Sequence, residues 1–380
     1  MRIIMFYHSL VSDWNNSSAH FLRGVTFELM TRGHDIRVYE PRDGSSLLSL
    51  QEERGDFATE GFKEAYPGLV SVFYDLAEID LPGALDGADL VIVHERNDRD
   101  LVRRIGAARA GDPGLRLLFH DTNHRSVTDP QTMAAYDLSN YDGVLAFGES
   151  IRNIYIERNW AARAWTWHES ADIRVFCAIP DVERQGDLVW VGNWADEQRT
   201  ADFHEYLLGP IEILDLKARA YGVGYPPDAI SALGKAGIWY AGWLPNYEVP
   251  EVFAGHAVTV HIPRRPYTQA LPGIPSIRVF EALACGIPLV SAPWDDVEGL
   301  FSPGRDFLLA RNGLEMNRHL RMLLEDETAA HELRFHGLRT VRAKHTCAHR
   351  VDQLLDICRE LGLNVAAVHR PLPTPTIGDT

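Results

Sequence analysis

The feature that most constrains this chain is a repeated alternation of strand-length apolar runs with helical stretches. It starts with RIIMFY at residues 2–7. The polar loop HSLVSDWNNSSAH, the amphipathic FLRGVTFELMTRGH and the apolar DIRVYE follow. Strand, loop, helix and strand in such close succession make a βαβ unit, which implies parallel strands and right-handed crossovers. The runs LVSVFY (69–74), DLVIVHE (89–95), LRLLFHD (115–121) and YDGVLAF (141–147) continue the series, with a helix over DRDLVRRIGAARA at 98–110. From 163 to 187 the pattern loosens. A second series then opens with DLVWVGNW (187–194), LKARAYGV (216–223), GIWYAGW (237–243), AVTVHIP (257–263), IPLVSAP (287–293) and DFLLA (306–310).

Two such blocks predict an α/β fold with two Rossmann-like domains facing a cleft. The boundaries read as a first domain at 1–170, a linker at 171–186, a second domain at 187–345 and a last helix at 346–364. The Pro/Thr-rich 365–380 reads as a flexible tail. In open α/β sheets ligands bind beyond the carboxyl ends of the strands, so the loops after the strands carry the chemistry. No G-x-G-x-x-G follows the first strand, which weighs against a nicotinamide site.

The 380 residues suffice for two full cores. The formal net charge of −16 argues against a general nucleic-acid binder or a polybasic membrane patch, yet leaves room for a local basic cleft. Cys177, Cys285, Cys347 and Cys358 form no CxxC pair and read as free thiols in a reducing compartment. MRIIMFYHSL lacks the h-region and cleavage site of a signal peptide, and no apolar run is long enough to span a bilayer. A cytoplasmic location is expected.

The stretch GIPSIRVFEALACGIPLVS (273–291) is the most informative. Ser276 occupies a helix N-cap position, Ile277 to Cys285 read as a short helix, Gly286 and Pro288 stop it, and Leu289–Ser291 enter a buried strand. A helix N-terminus offers unpaired N–H groups and partial positive charge to a phosphate or diphosphate. Arg278 and Glu281 share a face, so they either hold a sugar nucleotide, guanidinium on phosphate and carboxylate on ribose, or pair with each other on an exposed surface.

Other loops add candidates. Gly192 and Asn193 follow a strand where a glycine lets a ligand approach the backbone, and Arg199 either clamps phosphate or is a solvated helix arginine. His120, Asp121, His124 and Arg125 crowd FHDTNHRSVTD (119–129). Such groups suit acid–base work or sugar contact, or cap local backbone. A metal reading of HDxxH lacks a further ligand set and a helical spacing, and no metal is expected. His8, Asp13, Asn16 and His20 lie in or behind the first loop, and His8, directly after the strand, is expected to pack rather than to act.

The wording RVFEALACGIPLV resembles the donor-site helix of GT-B glycosyltransferases, and more narrowly the CgeB-like branch near the group-1/family-4 set. That resemblance implies transfer of a sugar from a nucleotide sugar (UDP-, GDP- or dTDP-linked) to an acceptor hydroxyl, with no metal and no further cofactor. The acceptor could be a glycan, a small molecule or a protein. It implies Glu281 on the donor ribose, Arg199 on the diphosphate, and Gly242, Trp243 and Leu244 of AGWLPNYEVPEVF at the nucleobase, with Trp243 stacking or merely packing. It implies a base among His20, Asp121 and His124 if the reaction inverts configuration, and sugar or acceptor contacts from His120, Asn16 and His8. It also implies that the last helix crosses back to brace the first domain, that WHESADIRVF matches the family's stretch before the linker, and that PGRDFLLARN and HTCAHR are structural or domain-bracing. The family's earlier glutamate is replaced by Gly273. An Asp295–Asp296 metal pair does not suit this fold. A nucleotide-sugar epimerase and a non-catalytic interaction protein remain as alternative readings, with a DNA-modifying transferase discouraged by the charge.

Overall fold

The structure is a computed structural model and describes residues 1–55, 59–194 and 199–365. Among the described residues the first sheet has seven parallel strands: β1 (Arg2–Phe6), β2 (Asp35–Pro41), β3 (Ser71–Tyr74), β4 (Leu90–His94), β5 (Arg116–Asp121), β6 (Gly143–Ala146) and β7 (Ala164–Thr166). Their order is β3-β2-β1-β4-β5-β6-β7. The second sheet has six among the described residues: β8 (Gly186–Val191), β9 (Ala218–Tyr221), β10 (Ile238–Gly242), β11 (His256–His261), β12 (Leu289–Ser291) and β13 (Leu308–Leu309), in the order β10-β9-β8-β11-β12-β13. Both sheets therefore wind the same way, outward from a first strand and then back past it. That reversal creates a crevice between β1 and β4 in one domain and between β8 and β11 in the other, where such sheets bind ligands.

Alternation along each strand explains the layers. In β1, Ile3 and Met5 face one core with Phe21, Leu22 and Val25, while Ile4 and Phe6 face the other with Val91, Val93 and Phe119. The second sheet is covered likewise, by Leu188, Val258 and Leu320 on one face and Val189, Phe253 and Phe280 on the other. The strand β7 lies in the stretch that reads as irregular. Its three residues are only half buried and carry no alternation to detect.

The C-terminal helix, Cys347–Glu360, opens with a capping box of Thr346 and His349. It packs on the first helix, Ala19–Thr31, burying Val351, Leu354 and Cys358 in the first domain's core. Each such aliphatic side chain stabilises the fold by about 2 kcal/mol. Arg32 pairs with Asp352 at 2.5 Å, and the Trp167 indole donates to the Arg350 carbonyl at 2.8 Å. The last described helix is thereby fastened to the first domain. The tail reading at 365–380 falls almost wholly outside the described residues. Among the described residues no helix is long and apolar enough to cross a membrane.

Candidate functional site

The cleft lies between the carboxyl ends of the two sheets, and both crevices open into it. Its second-domain wall is mainly backbone. The helix Ile277–Cys285 begins at Ser276 in extended conformation and ends at Gly286 in the left-handed region (φ 66°). Ser276 makes no side-chain capping bond; the Val279 N–H turns back to the Ser276 carbonyl at 3.0 Å, which leaves those of Ile277 and Arg278 for whatever fills the cleft. Gly192, after β8, donates to the Tyr221 carbonyl at 2.9 Å, and Gly222 donates to the Gly242 carbonyl at 2.8 Å. Gly222 has φ 149°, and a Cβ there would lie 2.1 Å from the Gly192 oxygen, so no side chain fits. The Asn193 carboxamide accepts from the Val223 N–H at 2.9 Å and donates to Asn15 of the opposite wall at 2.6 Å.

Arg199 is only 6 % exposed, which removes the solvated-surface role. It donates to the Asn193 carbonyl at 3.2 Å and to the Ile262 carbonyl, and lies over the Trp190 and Phe203 rings. Arg278 pairs with Glu281, but not on an exposed face: Glu281 is fully buried. The Glu281 carboxylate also stands 2.7 Å from Nδ1 of His20, whose ring rests on Phe176. Helical spacing correctly puts Arg278 and Glu281 on one side. That side is covered by the first helix, so Glu281 and His20 sit behind the cleft and do not line it. Gly242 has φ 78° and is not among the lining residues either, while Trp243 and Leu244 are.

The first-domain wall is made of side chains on loops. His8 lines the cleft with its ring 4.6 Å from that of His94. Burial, then the nearby Arg96, holds its imidazole well below the usual range, so it is neutral. Asn16 lines the cleft and donates to the Ser9 carbonyl at 3.2 Å. Asp13 is fixed by Arg23 at 3.0 Å and accepts from the Trp243 indole at 3.2 Å and the Asn246 N–H at 2.9 Å. Trp243 also packs against Trp14, so its N–H and one neighbour join the two domains rather than stand free for a base.

The loop after β5 splits the expected cluster. His120 is fully buried against Trp167 and Phe21, and burial pulls it down to about 3. Asp121 is fully buried, accepting from the Tyr155 hydroxyl and the Asn123 N–H, each at 2.9 Å. Burial pushes it up to about 6. Neither reaches the cleft, because both are the final residues of the strand and point into its two cores. Of the three base candidates only His124 lines the cleft, with Nδ1 3.0 Å from the Thr128 hydroxyl and its ring against Tyr267. Among the described residues no three His, Cys, Asp or Glu side chains gather to hold a metal ion. Asp296 accepts from the N–H groups of Leu300 and Phe301, a local turn role.

Gly273 has φ 88°, and a Cβ there would meet the Glu298 side chain at 2.8 Å. Glu298 instead fills that space and joins the domains, pairing with His168 at 3.0 Å and accepting from the Glu149 N–H at 2.9 Å. The glycine at 273, where the resemblance implies a glutamate, thus has a steric counterpart.

Sequence reasoning missed Arg96, Glu169, Arg264 and Tyr267, all lining the cleft. Glu169 is 4 % exposed, and burial pushes its carboxyl up to about 8, with Glu281 adding to the rise. At neutral pH it is an acid that can donate a hydrogen bond. It hides in the WHES segment, which the sequence marks only as the stretch before the linker. Arg96 and Arg264 follow β4 and β11, and the rule that ligands gather at strand ends was signal enough to find them.

Residues 199–356 match a family described as glycosyl transferase-like. No curated protein matches the chain. Among solved structures the chain is similar to an alpha-glucosyltransferase in complex with UDP and a 13-mer DNA containing a HMU base, at 13% identity and TM-score 0.70, covering 94% of this chain and 99% of that one. The fold is GT-B. A sucrose-phosphate synthase from Thermosynechococcus elongatus is similar at 13% identity and TM-score 0.64, covering 95% and 99%. So is Anabaena HepE in complex with UDP and glucose, at 14% identity and TM-score 0.66, covering 95% and 100%. At these identities the likeness is one of GT-B fold alone.

Proposed function

We propose that this chain is a glycosyltransferase that moves a sugar from a nucleoside diphosphate sugar to an acceptor hydroxyl without a metal ion. The observation that carries the reading is the convergence of Arg199, Arg278 and the uncapped helix N-terminus at Ser276 on one cleft. Negative charge builds on the departing diphosphate during transfer, and fixed guanidiniums and N–H groups in a closed cleft stabilise it without reorganising. The match to a glycosyl transferase-like family supports the reading, and the UDP bound in two similar structures makes UDP the first nucleotide to try.

Within this reading Gly192, Asn193, Trp243 and Leu244 border the nucleoside. His8, Asn16 and His124 face the acceptor. His124 orients the incoming hydroxyl or takes its proton. Glu281 acts at one remove, holding Arg278 and His20 in place rather than touching ribose. The bonds that cross the cleft, Asp13 to Asn246 and Asn15 to Asn193, hold it shut against water, which would otherwise hydrolyse the donor. A thermal-shift panel of UDP, GDP and dTDP, with and without EDTA, tests the proposal. A rise in Tm with one nucleotide, unchanged by EDTA, is expected. No rise with any nucleotide, or one abolished by EDTA, contradicts it.

A further inference from the structure

The two sheets share one winding, so β4 in the first has its counterpart in β11 of the second. The strand β4 ends in His94 and is followed by Glu95 and Arg96. The strand β11 ends in His261 and is followed by Ile262, Pro263 and Arg264. Both terminal histidines are buried, and both arginines emerge at their sheet's crevice and line the same cleft. Tyr267, packed against His124 and Phe147, stands within electrostatic reach of both guanidiniums.

Their charge is poorly compensated. Glu95 is fully buried and is shared between Arg125, which contacts it closely, and Arg96, whose nearest approach is 3.6 Å. Among the described residues no carboxylate lies within ion-pair distance of Arg264. The lining acids do not fill the gap: Asp13 is committed to Arg23, and Glu169 is neutral at pH 7. Arg199 and Arg278 already suffice for the two phosphates of a donor. A protein of net charge −16 that places two more arginines at one cleft has built a site for another anion.

We infer that Arg96 and Arg264 form an anion clamp at the His124–Tyr267 end of the cleft, for a carboxylate or phosphate carried by the transferred sugar or by the acceptor. The inference rests on the glycosyltransferase reading and names a substrate class for the same cleft. Because one arginine comes from each domain, the anion is gripped only when the cleft is closed.

Isothermal titration with two arms tests it. One compares UDP-glucuronate with UDP-glucose. The other, at saturating UDP, compares glucose 6-phosphate with glucose. In one arm the charged probe binds at least tenfold more tightly than its neutral partner, which also tells whether donor or acceptor carries the anion. Arg96→Gln and Arg264→Gln each erase that advantage and leave UDP affinity as in the unmodified protein. Equal affinity for charged and neutral probes in both arms, with UDP bound normally, overturns the clamp. So does an advantage that survives both substitutions. Failure of UDP to bind at all removes the nucleotide reading, and the clamp with it.

Discussion

The two walls of the cleft are built by different means. Apart from the Arg264–Tyr267 end, the second-domain wall is mainly a backbone surface: a helix N-terminus, glycines that let chain approach chain, and arginines fixed on carbonyls or a carboxylate. The first-domain wall is a set of side chains on loops, His8, Asn16, Arg96 and His124, set in front of a layer of buried histidines. A backbone wall suits the part of a ligand that stays the same, the nucleoside diphosphate. A side-chain wall can be altered residue by residue and suits the part that differs between substrates.

If the division of labour is right, a change at one wall leaves the other's task intact. His124→Ala should lower kcat by about 10³-fold, the middle of the range for general acid–base groups, with UDP affinity unchanged. Steady-state kinetics beside titration with UDP checks it. A matching loss of UDP affinity would place His124 on the donor side. Glu281→Ala removes a fully buried carboxylate shared by Arg278 and His20, and should cost about 3–5 kcal/mol of stability, read by chemical denaturation. Weaker UDP binding with full stability would instead make Glu281 a direct ligand.

The smallest effect concerns Glu169. Its folded pKa is raised, so between its ordinary value near 4.3 and about 8 the folded state holds a proton that the unfolded chain has released. Stability therefore falls as pH rises through that window, by a few kcal/mol at most. Glu169→Gln should flatten this part of the stability profile and make the protein more stable than the parent at pH 8.5. An unchanged profile would mean that Glu169 is ionised and contacts a cation of the donor wall.

The same contrast explains what the sequence reveals. The helix Ile277–Cys285, its N-cap Ser276 and its stop Gly286 are legible because caps, spacing and left-handed glycines are local signals. The strands of both sheets are legible from apolar runs, apart from the short half-buried β7. The first wall is harder to read because a strand's last residues and the next few differ only in where they point. His120 and Asp121 turn inward, while Asn123 and His124 three residues on face the cleft. Likewise, spacing shows that Arg278 and Glu281 share a side but not that His20 of a distant helix covers it. Nothing local marks Gly222, whose neighbour Gly192 lies on another strand's loop.

Titration of UDP against UMP in the presence of EDTA tests the central claim most directly. If Arg199, Arg278 and the helix N-terminus form a metal-free diphosphate site, UDP should bind about 10–100-fold more tightly than UMP, the worth of one or two charge-assisted hydrogen bonds. Equal affinity for the two, or UDP binding that appears only when a divalent cation is restored, would contradict it.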